Sequence, residues 1–309
     1  MPALSRLVKP ETQGLIHLRV LRTERVSPHF MRVTVGGGEI ERFRPMGYDQ
    51  WFRLFLPLGG DEGLDRLPAK ANKMLGYLKY LRIPDGVRPV MRNYSVREYR
   101  AQGASGGAEI DIDFVLHGTA DEGTATQATV TQGTVQEGPA GPASQWATTC
   151  QPGESIVIID EGLTFNPQRG TESVLLVADE TGLPALANIC ASLPAESSGI
   201  ALIEVPSEAD AVAFAHPSGI DVRYLVRDHE TKPGTLALDA LRTLPSDDLP
   251  PAPIHAWIVG EQSLPTEARR HLVGERGMPK DLVSFCGYWR VGAASPTPKS
   301  QQSVAEARA

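Results

Sequence analysis

Residues 173–205 read SVLLVADETGLPALANICASLPAESSGIALIEV, and this stretch decides the architecture of the second half of the chain. An apolar run of strand length (173–179) meets a Gly-Leu-Pro turn. A helical apolar pattern (183–194) and a second apolar strand (200–205) follow. Short strands without a polar face suit a parallel sheet covered on both sides. Pro184 fits the first helical turn, where a missing N–H costs nothing. The alternation then continues toward the C-terminus. EADAVAFA (208–215) reads as helix, DVRYLV (221–226) as strand and TLALDALRTL (235–244) as helix. IHAWIVGE (254–261) reads as strand, PTEARRHLVGE (265–275) as helix and LVSFCGYWRVG (282–292) as the last strand. Such alternation implies βαβ units, right-handed crossovers and a parallel sheet. Ligands of these sheets lie beyond the carboxyl ends of the strands. Those ends carry DETG, PSE, GE and GYWR, and they are expected to face the first half of the chain across a cleft.

Upstream of residue 170 the rhythm changes. LIHLRVLRTERVS (15–27) and HFMRVTVGG (29–37) alternate apolar and polar residues, and WFRLFLP (51–57), IDIDFVLHG (110–118) and ESIVIID (154–160) are further strands. Turn residues separate them, which suggests an antiparallel barrel or sandwich. Residues 66–82 look helical or loop-like, and QGASGGAE (102–109) is a flexible excursion. The expected fold has two domains, β and α/β: an antiparallel β-barrel over 14–169 and a parallel-sheet nucleotide-binding domain over 170–292. The small, polar residues 293–309 should form a mobile tail.

The length of 309 residues suits two domains, each with its own core. A formal net charge of −7 argues against general nucleic-acid binding. Cys150, Cys190 and Cys286 are odd in number and widely spaced, with no CxxC pair. They support neither a disulfide framework nor a zinc or iron–sulfur site, and all three read as small buried hydrophobes. The N-terminus lacks the apolar core of a signal peptide, and no apolar run approaches the ~20 residues of a membrane span. Cytoplasmic residence is the default expectation.

Four stretches carry chemistry. Arg92-Asn93-Tyr94-Ser95-Val96-Arg97 follows the R-x-Y-S/T pattern, which resembles that of the ferredoxin–NADP reductase superfamily of flavoproteins. On a strand, Arg92 and Tyr94 share a face. An arginine can clasp a pyrophosphate, a tyrosine can stack on an isoalloxazine, and a serine can hydrogen-bond a ring nitrogen. The second signal is His117-Gly118 followed by Gly141-Pro142-Ala143-Ser144-Gln145-Trp146-Ala147. Small residues before a helix leave backbone N–H groups for a phosphate, with Ser144 as a plausible N-cap. Asp179-Glu180-Thr181-Gly182 marks the first strand-to-helix turn of the α/β half, and no GxGxxG is present. Gly287-Tyr288-Trp289-Arg290 closes the last strand, where Tyr288 and Trp289 could cover a flavin or meet a nicotinamide. Each stretch also has a purely structural explanation: a core tyrosine, a capped helix, a buried aromatic pair. Residues 66–100 add nine Lys/Arg against Asp85 and Glu98, either a steering field for anions or a solvated surface.

Taken in this order, WFRLFLP, RNYSVR, DFVLHG, GPASQWA, ADETGLPA, WIVGE and GYWRVG resemble the siderophore-interacting protein family of ferric-siderophore reductases, over roughly residues 14–292. The resemblance implies an FAD-dependent NAD(P)H oxidoreductase that passes electrons to Fe(III)-siderophore and releases Fe(II). It implies that Arg92, Tyr94, Ser95 and Arg97 hold the flavin, with His117 and Gly118 near its diphosphate or adenosine part. Ala143, Ser144, Trp146 and Ala147 would cradle phosphate. Asp179, Glu180, Thr181, Gly260 and Glu261 would border the nicotinamide cleft. Basic side chains near the flavin would hold the anionic iron complex, with Arg53 and Arg290 as candidates. A third basic position is expected near 152–163, where this chain reads PGESIVIIDEGL and is acidic. No catalytic base and no protein metal ligand is required. Glu204 and Glu208, after the second α/β strand, tilt the donor toward NADH over NADPH by repelling a 2′-phosphate. Reduced ferredoxin is a further donor in related proteins. Two alternatives stay open: an NAD(P)H reductase of flavin, quinone or an oxygenase partner, and a non-catalytic siderophore binder or flavin redox sensor.

Overall fold

A computed structural model describes residues 7–57, 60–68, 73–84, 86–116, 141–167, 171, 173–249 and 253–292. His117, Gly118, Lys70, Asp85 and the 293–309 tail lie outside the described residues.

Seven strands build the first half: β1 (Ile16–Ser27), β2 (Phe30–Gly36), β3 (Trp51–Leu56), β4 (Val90–Ser95), β5 (Glu98–Arg100), β6 (Glu109–Val115) and β7 (Ser155–Gly162). They pair antiparallel in the order β4-β3-β7-β1-β2-β6-β5. Only Val96 and Arg97 separate the two edge strands β4 and β5. The Val96 N–H donates to the Gln50 carbonyl (2.8 Å), beside β3, and the Arg97 N–H to the Asp111 carbonyl (2.9 Å) on β6. The two edges are therefore joined, and the sheet closes into a barrel.

Alternation sorts the side chains. Ile110, Ile112 and Phe114 of β6 enter the core with Val33, Val35, Phe52, Leu54, Leu56, Ile156 and Ile158. Glu109, Asp111 and Asp113 point the other way and meet arginines. Arg22 reaches Glu109 (2.8 Å), Arg100 grips Asp111 (2.7 and 2.8 Å) and Arg32 grips Asp113 (2.7 and 2.9 Å). The hydrogen bond from Arg22 holds the Glu109 carboxyl down at about 2. Two short helices, α1 (Glu62–Asp65) and α2 (Lys73–Leu81), cross the outside of β3 and β4. Helix α3 (Pro142–Thr149) closes the barrel, burying Ala143 and Ala147.

Much of the basic excess at 66–100 is structural. Arg66 pairs with Glu62, Arg88 donates to the Ile83 and Leu81 carbonyls, Arg97 faces Asp113 and Arg100 is held as above. Lys79 and Arg82 remain exposed.

The second half comprises β8 (Ser173–Ala178), α4 (Leu183–Ser192), β9 (Ser198–Val205), β10 (Gly219–Val226), α5 (Thr235–Thr243), β11 (Ile254–Glu261), α6 (Ser263–Arg270) and β12 (Val283–Trp289). Its sheet is parallel, in the order β10-β9-β8-β11-β12. The strand order reverses between β8 and β11, the place where doubly wound sheets open a crevice.

Two sequence expectations are corrected here. EADAVAFA does not form a helix: a 3-10 turn at Glu208–Asp210 gives way to irregular chain. Asp210 is drawn inward instead. Its carboxylate accepts from Ser27 Oγ (2.6 Å) and the His29 N–H (3.0 Å), and pairs with His29 Nδ1 (2.7 Å), all on the β1–β2 hairpin. Cys286 is exposed on β12, an edge strand, whereas Cys150 and Cys190 are buried with thiols pushed up to about 12 by desolvation.

The halves share one core. Phe30 and Phe165, from the barrel side, lie in the cluster of Val174, Leu176, Leu186 and Trp257. Buried Asp49 accepts from the Thr164 and Phe165 N–H groups (2.9 and 2.7 Å) and from Trp257 Nε1 of β11 (3.2 Å). Its neighbour Tyr48 has φ +51°, a left-handed conformation costing about 1–2 kcal/mol. Stacking on Phe165 (5.2 Å) and the bond from its N–H to Ser192 Oγ (2.9 Å) hold Tyr48 there.

Candidate functional site

Strand register places the sequence-selected residues on two faces. Leu54 pairs with Arg92 and Phe52 with Tyr94, so Arg92 and Tyr94 lie on the barrel-core face of β4. The Tyr94 ring is 4.4 Å from Phe114, whose ring is 5.7 Å from Trp146 of α3. Burial pushes the Tyr94 hydroxyl well above its usual pKa. Arg92 is half-buried and donates to its neighbour's carbonyl at Met91 (2.8 Å). Ser95 lies on the opposite face of β4, with Asn93, and pairs with Trp51 as Asn93 pairs with Arg53. Arg97 is past the end of β4 and turns toward Asp113 (3.7 Å).

Helix α3 approaches the first face. Its N-cap is Gly141, not Ser144. Ser144 sits in the first turn, buried, and donates to the Val115 carbonyl (3.0 Å), so its hydroxyl docks the helix on β6. The first helical N–H with a helical acceptor is that of Gln145, to Gly141 O (2.9 Å). The Ala143 and Ser144 N–H groups precede it in the unsatisfied first turn. Trp146 Nε1 is buried without a hydrogen-bond acceptor among the described residues. Such an orphan costs about 1–3 kcal/mol, a cost removed when an acceptor outside the protein meets it. A flat ring platform, arginines, a helix N-terminus and an orphan donor fit FAD, whose dinucleotide offers both an aromatic ring and an anionic pyrophosphate.

At the switch point of the parallel sheet, Asp179 is fully buried and works as a clamp. Its carboxylate accepts from the Thr181 N–H (2.9 Å) and hydroxyl (2.5 Å), the Glu261 N–H (2.6 Å) and Trp289 Nε1 (2.9 Å). One side chain thus ties the ends of β8, β11 and β12. Burial pushes the carboxyl up to about 6, with neighbouring Glu180 adding to the rise. Gly260 has φ +134°, and a Cβ there would stand 2.7 Å from the Asp179 carboxylate. Glu180 is taken by Arg227, through two bonds of 2.5 and 2.7 Å. Glu261 accepts from the Ser263 N–H (2.8 Å) and lies 3.4 Å from Lys232. The fold brings Asp179, Glu180, Thr181, Gly260 and Glu261 together, as their places at neighbouring strand ends lead one to expect.

Tyr288, on β12, packs on the cluster that holds Phe30 and Phe165 of the barrel side, and burial raises its hydroxyl strongly. The last strand of the α/β half therefore packs against the barrel side. Trp289 is held by Asp179, and Arg290 is exposed just beyond. Arg53 is not an open cation. Its Nε lies 2.8 Å from Glu161, with the two side chains only 14% and 12% exposed.

Glu204 also departs from the sequence reading. It is buried, and its carboxylate accepts from the Gly234 (2.8 Å) and Ala237 (3.1 Å) N–H groups at the start of α5. Its charge is committed to a helix terminus, which leaves Glu208 as the exposed acid of that segment. Asp49, Arg227 and Glu161 escaped sequence analysis, since their partners lie far away in the chain. The Gly-Tyr-Asp turn before β3 was the available hint for Asp49.

Residues 19–164 match the siderophore-interacting FAD-binding domain, and residues 171–292 match the siderophore-interacting protein family. The chain is 26% identical over 275 residues to ferric vibriobactin reductase ViuB of Vibrio cholerae, covering 89% of each. It is 26% identical over 275 residues to the NADPH-dependent ferric-chelate reductase of Escherichia coli, covering 88% of this chain and 91% of that one. The crystal structure of a siderophore utilization protein from T. fusca is similar, with 27% identity, a TM-score of 0.70 and coverage of 93% of this chain and 97% of that one. Among the described residues, no helix is long and apolar enough to cross a membrane.

Proposed function

We propose that this chain, which belongs to the siderophore-interacting protein family, moves electrons from NAD(P)H through FAD to the iron of a ferric siderophore complex. The observation that carries this reading is the core shared by the two halves, in which Phe30 and Phe165 of the barrel side pack with Trp257 of β11 and Tyr288 of β12. It seats the barrel against β11 and β12 of the nucleotide-binding half, so the donor and flavin positions adjoin. Bound FAD supplies the conversion of a two-electron hydride donor into single electrons.

The protein's own groups do the holding. Arg92, the first turn of α3 and Trp146 Nε1 receive the pyrophosphate, and the Tyr94 ring supports the flavin ring. Ser95 and Arg97 complete the flavin end. Asp179, through Trp289 and Glu261, fixes the three strand ends against which the nicotinamide lies. The barrel, over 14–169, carries the flavin, and 170–292 carries the donor. Arg53 and Arg290 border the iron complex. Two ferric ions are reduced and one proton is released per NAD(P)H consumed. Ferrous iron, less charged, binds hard oxygen donors less tightly, so reduction releases the metal.

The commitment of Glu204 to α5 weakens the charge argument against a 2′-phosphate. The assay therefore uses both nicotinamides. Purified protein, NADH or NADPH, and a ferric siderophore are mixed anaerobically with a ferrous-specific chromophore. Ferrous iron should form at a rate proportional to flavin-loaded protein. A signal no greater than that of the flavin-free control with either donor would remove the proposal.

A further inference from the structure

The face of β4 that carries Ser95 continues, strand pair by strand pair, toward α2. Trp51 opposes Ser95, Arg53 opposes Asn93 and Phe55 opposes Met91. Each step along a strand face is about 7 Å, so the tract from Ser95 to Met91 is about 14 Å long. It ends in a hollow of about 40 Å³ lined by Phe55, Tyr77, Tyr80 and Met91, with Arg53 and Glu161 at one side. A water-sized group needs about 10–15 Å³, so the hollow takes a short alkyl arm or a ring edge, not a whole chelate. Its walls are apolar and aromatic. Tyr77 and Tyr80 stack at 6.0 Å, Phe55 meets Tyr80 at 5.9 Å, and the Tyr80 hydroxyl is spent on the Pro89 carbonyl (2.8 Å). The charged pair between hollow and Ser95 sums to zero, because Glu161 sits 2.8 Å from Arg53.

We propose that this tract selects ferric chelates of low net charge bearing an apolar substituent, with Glu161 as the specificity-determining residue. The inference rests on the functional reading above and deepens it. A tris-hydroxamate complex of Fe(III) is neutral, since three monoanionic ligands balance the metal. A tris-catecholate complex carries three negative charges. An unopposed Arg53 would favour the trianion. Paired with Glu161, Arg53 offers it no net attraction, and the aromatic hollow rewards an alkyl arm.

The test uses gallium(III) complexes, which match the ferric ones in charge and ligand chemistry but accept no electron. The full-length, FAD-loaded protein is titrated calorimetrically with tris(acetohydroxamato)gallium, tris(hexanohydroxamato)gallium and the tris(catecholato)gallium trianion. The unmodified protein should bind the neutral hexano complex most tightly. Glu161→Gln should strengthen trianion binding about tenfold, the effect of removing one carboxylate about 8 Å from a trianion in water. It should change the neutral complexes less than twofold. Tyr77→Ala, at a half-buried position, should weaken the hexano complex about fivefold and leave the aceto complex unchanged. A trianion preference in the unmodified protein, or affinities that neither variant alters, would overturn the inference. If Glu161→Gln does not fold, the Tyr77→Ala comparison alone decides it. A reductase that is active in the ferrous assay yet shows no such selectivity sinks this inference only. Selective gallium binding without ferrous production sinks the functional reading only.

Discussion

Gly260→Ala is the sharpest test of the clamp at the sheet's switch point. Gly260 sits at φ +134°, where an L side chain is strained by about 1–3 kcal/mol. Its new Cβ would start 2.7 Å from the Asp179 carboxylate, well inside contact distance. Relief requires Asp179 to move, and its bonds to the Glu261 N–H (2.6 Å) and Trp289 Nε1 (2.9 Å) cannot both follow. A hydrogen bond to a charged group contributes about 1.5–3 kcal/mol. Strain plus one lost bond gives a destabilisation of about 2.5–6 kcal/mol. With a urea dependence of about 2 kcal/mol per M, the unfolding midpoint should fall by about 2 M. Tryptophan fluorescence can follow the transition, since Trp257 and Trp289 both lie in this region. Gly274→Ala is the control, since Gly274 is exposed with nothing within 4 Å of its added Cβ, and should change stability by under about 0.5 kcal/mol. A Gly260→Ala midpoint indistinguishable from that of Gly274→Ala would refute the clamp.

Trp146→Phe keeps an aromatic ring near Phe114 but removes the orphaned indole N–H. Apoprotein stability should hold or rise slightly while FAD binding, followed by flavin fluorescence, becomes about tenfold weaker; unchanged FAD affinity would detach Trp146 from the flavin. On the acid side, Glu109 is held at about 2 against an ordinary 4.5, chiefly by Arg22, so its contribution is complete above 4.5 and is lost as pH falls toward 2. Thermal unfolding temperatures should decline across that window, and Arg22→Gln should flatten the decline; an equally steep decline in the variant would count against it.

The sequence was most informative where neighbours along a strand determine the outcome. The Ile110, Ile112 and Phe114 alternation announced a barrel wall, and the apolar run at 173–178 announced a central parallel strand. It was least informative where a partner lies far away. Residues 208–215 look helical in isolation, yet Asp210 is drawn to a hairpin over 180 positions upstream. Glu204 looked free to meet a ribose, but it caps a helix that begins 31 residues later. Arg53 looked like a lone cation until β7 delivered Glu161 beside it. The grouping of Asp179, Thr181, Gly260 and Glu261 was foreseeable because parallel strands bring their carboxyl ends to one rim. What locks them together, a single carboxylate with Trp289 on its far side, is a matter of side-chain reach that no local pattern encodes.

Phe30 and Phe165 sit inside the hydrophobic cluster of the parallel sheet, and Asp49 grips Trp257 across the same seam. Cutting the chain near residue 170 would thus leave each fragment with a greasy scar and stranded polar anchors. The fragments should be sticky and poorly folded when made separately, and should regain solubility when co-expressed. Exchanging either half with that of a relative would have to carry Phe30, Asp49 and Phe165 along as a matched set.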